Sequence, residues 1–240
     1  MSSGHSNFKV DKAVIQDAEE RVRGEYLSML SIFNTVPSFV PQPRGHGKCL
    51  ESDGFFFFCD YKEIDHRAPD PTRLGERLSE LHLKSRGKSP NGKFGSDHVP
   101  YDGKLPLLGE WDESWLSFFT KLMRLSYNHD IHLWEENIGT DINTNELYII
   151  DAAAYYAHNE KEIGIWRCDH HQMKSKEYIK QYLKHFEPDE PTEEFEDRNL
   201  LYSVQTKFMN CGHMPGTIVR AQLMGDLKYL IGKYLEGDGK

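Results

Sequence analysis

No apolar run in the 240-residue chain is long enough to cross a bilayer. The first ten residues, MSSGHSNFKV, also lack the apolar core of a secretion signal. Paired cysteines are missing too. Cys49, Cys59, Cys168 and Cys211 are widely spaced and form no CxxC pair, so they read as reduced thiols rather than a disulfide framework. Positive charge is scarce: 29 Lys and Arg against 38 Asp and Glu give a formal net charge of −9. Such a balance argues against a nucleic-acid-binding surface and against attraction to anionic membranes. Internal repeats and low-complexity tracts are absent. These absences predict a soluble cytoplasmic protein with no nucleic-acid and no membrane partner.

What is present is ordinary globular composition, 38% hydrophobic and 28% charged, enough for one domain or two small lobes. Ala18, Val22, Tyr26, Met29 and Phe33 recur at helical spacing and predict a helix from about Lys12 to Phe33. The proline-bounded stretch Val36–Pro43 predicts an extended connector. Strands are expected around 47–50 and 54–60, with Phe55–Cys59 as a buried strand. Arg67–Asp70 reads as a linker, followed by a helix over 71–84 with Asp70 at its N-cap and Pro71 just inside. A Gly-, Pro- and Asp-rich loop over 87–110 exceeds usual loop lengths, so it is either functional or pinned to the surface by its aromatic residues. Further helices are expected near 113–126, 175–186, 194–210 and 217–235. The pattern predicts an α+β fold of two lobes, 1–66 and 67–240, the second mostly helical.

The segment HDIHLWEENIGTDINTNELYIIDAAAYYAHNEKEIGIWR, His129–Arg167, carries the chemistry. Phosphoryl transfer needs one group to accept the proton of the attacking hydroxyl and others to hold the metal ions on the nucleotide phosphates. Kinase-type sites supply these from a D-x-x-x-x-N loop and an aspartate after the next hairpin. Here Asn137 precedes a strand at 138–140, a turn at 141–145 and a strand at 146–150 that ends at Asp151. Amide and carboxylate oxygens at those two positions suit Mg²⁺. By spacing alone, an Asp after a strand and an Asn in a loop are also ordinary features.

The same segment resembles the HGDLWxGN…FDxxxxYGHxExxIG stretch of the fructosamine-3-kinase (ketosamine-3-kinase, protein-ribulosamine 3-kinase) family, in wording closest to its fungal members. The likeness extends through Gly24-Glu25-Tyr26, Val36–Pro41, Leu78–His82, Gly92–Gly95, Asp197–Ser203 and Pro215-Gly216. It implies a protein-kinase-like two-lobe fold with an incomplete small lobe, and use of ATP and Mg²⁺. It also implies phosphorylation of the third-carbon hydroxyl of ketoamines on glycated proteins or small amines, which leads to deglycation. Carried over by position, Asn137 and Asp151 are the metal-holding residues. Lys9 grips the phosphates, Glu25 pairs with it, and Asp60 and Tyr61 meet adenine through backbone groups. His158, Asn159 and Glu160 match a motif beside the site and are expected to be structural.

The resemblance breaks in three places. The chain begins where the third small-lobe strand is expected, without a glycine-rich loop before it. The helix ending near Ser126 runs almost directly into His129. HGDLW has become DIHLW, so His132 stands at the position of the catalytic aspartate, and Glu136 replaces the glycine before Asn137. Imidazole accepts protons but supplies no fixed negative charge, so little or no turnover is expected. The alternative is a pseudokinase that binds nucleotide or a partner without transfer. A third class, a metal hydrolase using His129, His132, His158, His170 and His171, lacks zinc-ligand spacing.

Overall fold

A computed structural model describes residues 8–13, 18–103, 105–128, 137–169, 171–211 and 218–236. Strands β1 (Phe8–Ala13), β2 (Pro43–Lys48) and β3 (Phe55–Asp60) form an antiparallel sheet in the order β1-β3-β2. Helix α1 (Ala18–Thr35) packs on one face of it. Phe57 alternates toward α1, where it joins Val22, Met29 and Ile32, while Phe56 and Phe58 pair on the opposite face. The tetra-Phe run is a strand, as expected, and the central one of the sheet; of the expected buried strand only Phe57 is buried, and α1 starts at Ala18 rather than Lys12. Lys12 and Ala13 are paired with Phe56 and Phe55 instead. Strand pairing with that run overrides the helical pattern at this end. β2 likewise begins at Pro43, inside the predicted connector; it is an edge strand with a bulge between Pro43 and Gly45, where proline costs no ladder bond. The connector itself contains a short 3₁₀ turn at Pro37–Phe39, with Phe39 fully buried.

Helix α2 (Pro71–Ser85) opens as the sequence predicts, the Asp70 carboxylate accepting the Arg73 N–H at 3.0 Å. Helices α3 (Trp115–Asn128), α5 (Lys176–Tyr182), α6 (Phe195–Cys211) and α7 (Ile218–Tyr234) fall close to their expected positions. A short helix α4 (Glu160–Ile163) continues into a 3₁₀ turn over Gly164–Arg167. The main core gathers Val36, Phe39, Leu74, Leu78, Ile138, Leu147, Ile163, Trp166 and Tyr182 from these elements. Burying each large side chain contributes roughly 1.5–3 kcal/mol. A separate hydrophobic cluster, Phe118, Phe119, Leu122 and Tyr202, joins α3 to α6.

The second sheet, order β4-β7-β8, bears on the site most directly. It consists of β4 (Ile64–Asp65), β7 (Ile138–Asp141) and β8 (Leu147–Ile149). β4 falls within the range 1–66 expected for the small lobe, yet its hydrogen bonds go to β7. The strand pairing thus changes sheets between Asp60 and Ile64. The long 87–110 loop holds a minimal hairpin, β5 (Tyr101–Asp102) and β6 (Leu105–Pro106). All four cysteines are free thiols, and burial pushes Cys168 up to about 12. Among the described residues no helix is long and apolar enough to cross a membrane.

Candidate active site

The β7–β8 hairpin is built by its turn. The Asp141 carboxylate accepts the N–H groups of Asn143 and Thr144 at 2.8 and 3.1 Å, and Asn145 takes a positive φ of 59°. Arg73, on the first turn of α2, donates to the Asn145 carbonyl and ties the tip down. Gly139 is obligatory in β7: a Cβ there would lie 2.3 Å from Ile64 Cγ2 and 2.6 Å from the Asp65 carbonyl oxygen.

At the open end of the hairpin, the Ile150 N–H donates to the Asn137 carbonyl at 2.9 Å. The Asn137 side-chain amide donates in turn to the Asp151 carbonyl at 3.2 Å. A carbonyl can only accept, so Asn137 Nδ2 faces Asp151 and Oδ1 is the atom left to face a cation. Asp151 is solvent-exposed with φ +52°, a conformation uncommon for non-glycine residues and concentrated at functional sites. Two hard oxygen donors at one hairpin end fit Mg²⁺, which keeps several waters and shares phosphate oxygens. Among the described residues no cluster of three His, Cys, Asp or Glu could hold a metal by itself.

The other expected site residues are placed unevenly. Lys9 lies in β1 opposite Cys59, with its side chain outside the described residues. Glu25 is half-buried on α1, which packs on that sheet. Asp60 ends β3, and two of its groups are already engaged. Its N–H donates to the Gln42 carbonyl at 3.0 Å, and its carboxylate accepts from Arg44 Nε and Nη2 at 2.6 and 3.0 Å. Tyr61 is about half exposed at the start of the crossing between sheets, followed by Lys62, whose ammonium sits 4.7 Å from the Tyr148 ring centre. His132, Glu136, His129 and His170 lie outside the described residues.

His158, Asn159 and Glu160 are consumed in architecture. His158 is bonded to the Tyr202 hydroxyl at 2.8 Å and to Asp189 at 2.7 Å, and Asn159 donates to the Tyr182 hydroxyl at 3.1 Å. His82, from the Leu78–His82 motif, meets the same hydroxyl at 2.8 Å, so two separate motifs converge on Tyr182. Burial, with His158 nearby, pushes His82 down to about 4. Glu160 is fully buried and receives Arg198 Nε and Nη2 at 2.8 and 2.9 Å.

One buried acid escaped the sequence reading. Asp102, in β5, is 7% exposed, and its Oδ2 has no hydrogen-bond partner. Burial pushes it up to about 7, with Asp151 adding to the shift and Lys161 opposing it. Nothing in the sequence marks it, since an Asp in a Gly/Pro-rich loop is ordinary. Ser28, His98 and Asp97 are linked at 3.0 and 2.9 Å in the order of a hydrolase relay. Ser28 is fully buried on α1, so no substrate reaches it; the chain of bonds latches the loop to the helix.

The curated relatives include the chloroplastic protein-ribulosamine 3-kinases of Oryza sativa subsp. japonica and Arabidopsis thaliana. They are 25% and 26% identical over 182 and 181 residues, each alignment taking in 60% of this chain. The chain spans about half the length of these relatives, 52% and 54%. Among solved structures, a protein from Thermobifida fusca YX-ER1 assigned as a fructosamine-3-kinase has the same fold. Its TM-score is 0.66 at 18% identity, over 93% of this chain and 85% of that one. A kinase-like fold with small sheets and many helices follows from that likeness. With the family model for fructosamine kinase matched over residues 3–132 and 130–222, the chain belongs to the fructosamine kinase family.

Proposed function

We propose that this chain carries the phosphotransfer unit of a ketosamine 3-kinase. It would direct the γ-phosphoryl group of ATP to the third-carbon hydroxyl of ribulosamine or fructosamine adducts, on glycated proteins or small amines. The observation that carries the reading is the Asn137–Asp151 contact at the end of the β7–β8 hairpin, in a family whose relatives are named for this reaction. Asn137 Oδ1 and the Asp151 carboxylate would hold magnesium, which would supply positive charge against the nucleotide phosphates. Lys9 would grip those phosphates and Glu25 would orient it. Because the Asp60 N–H is already used, the backbone of Tyr61 and Lys62 is better disposed to face adenine.

His132 stands where the proton acceptor belongs. Positioned acid–base groups contribute roughly 10²–10⁴-fold, so transfer by this chain is expected to be weak or absent. That substitution also favours the second reading, a pseudokinase that binds nucleotide without transfer. The two part in one experiment on the purified chain. Calorimetry with Mg²⁺ and a non-hydrolysable ATP analogue measures binding, and mass spectrometry after incubation with ATP follows a ribulosamine- or fructosamine-modified peptide. Binding with transfer supports the kinase. Binding without transfer supports the pseudokinase, and restored transfer in His132→Asp would identify the missing base. No magnesium-dependent nucleotide binding overturns both.

A further inference from the structure

The 87–110 loop and the residues just after it fold back on themselves as a ribbon. Phe94 and Asp112 exchange both backbone hydrogen bonds at 2.9 and 2.8 Å, and the Leu107 N–H donates to the Pro100 carbonyl at 2.8 Å. Beyond them β5 pairs with β6. Gly95 and Gly109 let the two arms touch. A Cβ on Gly95 would lie 2.1 Å from the Glu110 carbonyl oxygen, and one on Gly109 would lie 2.8 Å from that of His98. One anchor of the ribbon lies beyond Asp151 in the chain. There Gly95 and Tyr156 exchange both backbone hydrogen bonds at 2.8 Å, and Trp111 lies against the Tyr156 ring with centroids 6.2 Å apart.

The other anchor is α1. Glu20, Gly24 and Ser28 stand four residues apart and so share one face of the helix. Each meets the ribbon. The Tyr101 hydroxyl donates to the Glu20 carboxylate at 3.2 Å. Gly24 admits the Val99 carbonyl so closely that a Cβ would meet it at 2.3 Å. The Ser28 hydroxyl is bonded to His98 Nε2 at 3.0 Å, and His98 Nδ1 is held by the Asp97 carboxylate at 2.9 Å. Contacts spread over two turns restrain both the slide and the rotation of the helix, because neither motion preserves all of them.

Rotation matters because of Glu25. Ala18, Val22, Met29 and Ile32 pack with Phe57 of β3, and Glu25 stands three positions after Val22 and four before Met29, on the same row. That row faces the sheet whose strand β1 contains Lys9. The direction of Glu25 is therefore set by how the ribbon seats α1. Gly24 and Gly95, each within a stretch of the family resemblance, are the ribbon's contact points. We propose that the 94–112 ribbon braces α1, with Gly24 and Ser28 as positioning residues that act on nucleotide binding through Glu25. This rests on the kinase reading, in which Glu25 orients Lys9.

The test is a double-mutant cycle in the whole chain, read by calorimetry with Mg²⁺ and a non-hydrolysable ATP analogue. Gly24→Ala forces the Val99 carbonyl away, and Ser28→Ala removes the bond to His98. Both raise helix propensity, so a loss of affinity reports the seating of α1 rather than its melting. Glu25→Gln is expected to weaken nucleotide binding about 10-fold, the scale of one hydrogen bond to a charged group, and each brace variant to approach that loss. Either brace variant alone carries the test if the other does not fold. In a Glu25→Gln background the brace substitution is expected to cost nothing further, because the group it acts through is already lost. A loss that adds to that of Glu25→Gln marks a general structural effect and overturns the brace. Unchanged affinity in the folded single variants overturns it too, and in both cases the kinase reading stands. If Glu25→Gln binds nucleotide like wild type, the brace falls and so does the role of Glu25. Wild type that binds no nucleotide overturns the kinase reading and the brace with it.

Discussion

Asp151 and Glu160 belong to one stretch of sequence and one family resemblance, yet their surroundings are opposite. Asp151 is exposed, on a left-handed backbone at the end of a hairpin, within reach of Asn137. Glu160 is fully buried, and both its oxygens are taken by Arg198 and the Asp189 N–H. An exposed acid on a left-handed backbone can be reached by a ligand, whereas one with its acceptors filled from two other segments is part of the frame. The motif therefore contains an exposed half, proposed to hold the metal, and a buried supporting half, and substitutions should separate them.

The largest effect is expected at Glu160. Glu160→Ala leaves Arg198 without its buried partner, and breaking such a pair costs about 3–5 kcal/mol. Chemical denaturation should show that loss; an unchanged midpoint would mean Glu160 is not part of the frame. His82 comes next. Its folded pKa, about 4, lies below the ordinary imidazole value, so its neutral form contributes stability above about pH 6.5 that is lost as pH falls toward 4. The linked free energy is at most about 3 kcal/mol, and His82→Gln should flatten the pH dependence of the thermal midpoint across that window.

Asp151→Asn tests the other half. Asparagine tolerates the left-handed conformation, so thermal stability should stay within about 0.5 kcal/mol. Magnesium-dependent nucleotide binding should weaken by at least the roughly 10–100-fold that loss of a mere supporting partner of a metal ligand costs, read by calorimetry at varied Mg²⁺. Equal affinity with and without the substitution would remove Asp151 from the metal site. The smallest effect is expected from Arg73→Ala, which frees the hairpin tip at an exposed position and should cost no more than about 1 kcal/mol. Hydrogen exchange at Asn143–Glu146 would show it first.

Long amphipathic helices and the β7–β8 hairpin were legible in the sequence because each is specified locally. Asp70 and Pro71 start α2, and Asp141 with Asn145 shapes the turn that returns the chain to Asp151. The start of α1 was misjudged because Lys12 and Ala13 answer to a partner strand more than forty positions away. β2 was displaced for a related reason, since an edge position makes Pro43 acceptable. The burial of Asp102 left no trace in the pattern, as it is set by what surrounds the residue.

The sequence by itself determined the family, the later helices and the position of Asn137 and Asp151 at the two ends of a hairpin, since spacing, turn chemistry and motif wording are properties of neighbouring residues. Only the tertiary structure decided that Glu160 is buried under Arg198, that Asp60 is already engaged, and that Asp102 is buried on its loop. Burial and charge are set by groups remote in the chain, and only folding brings those groups together.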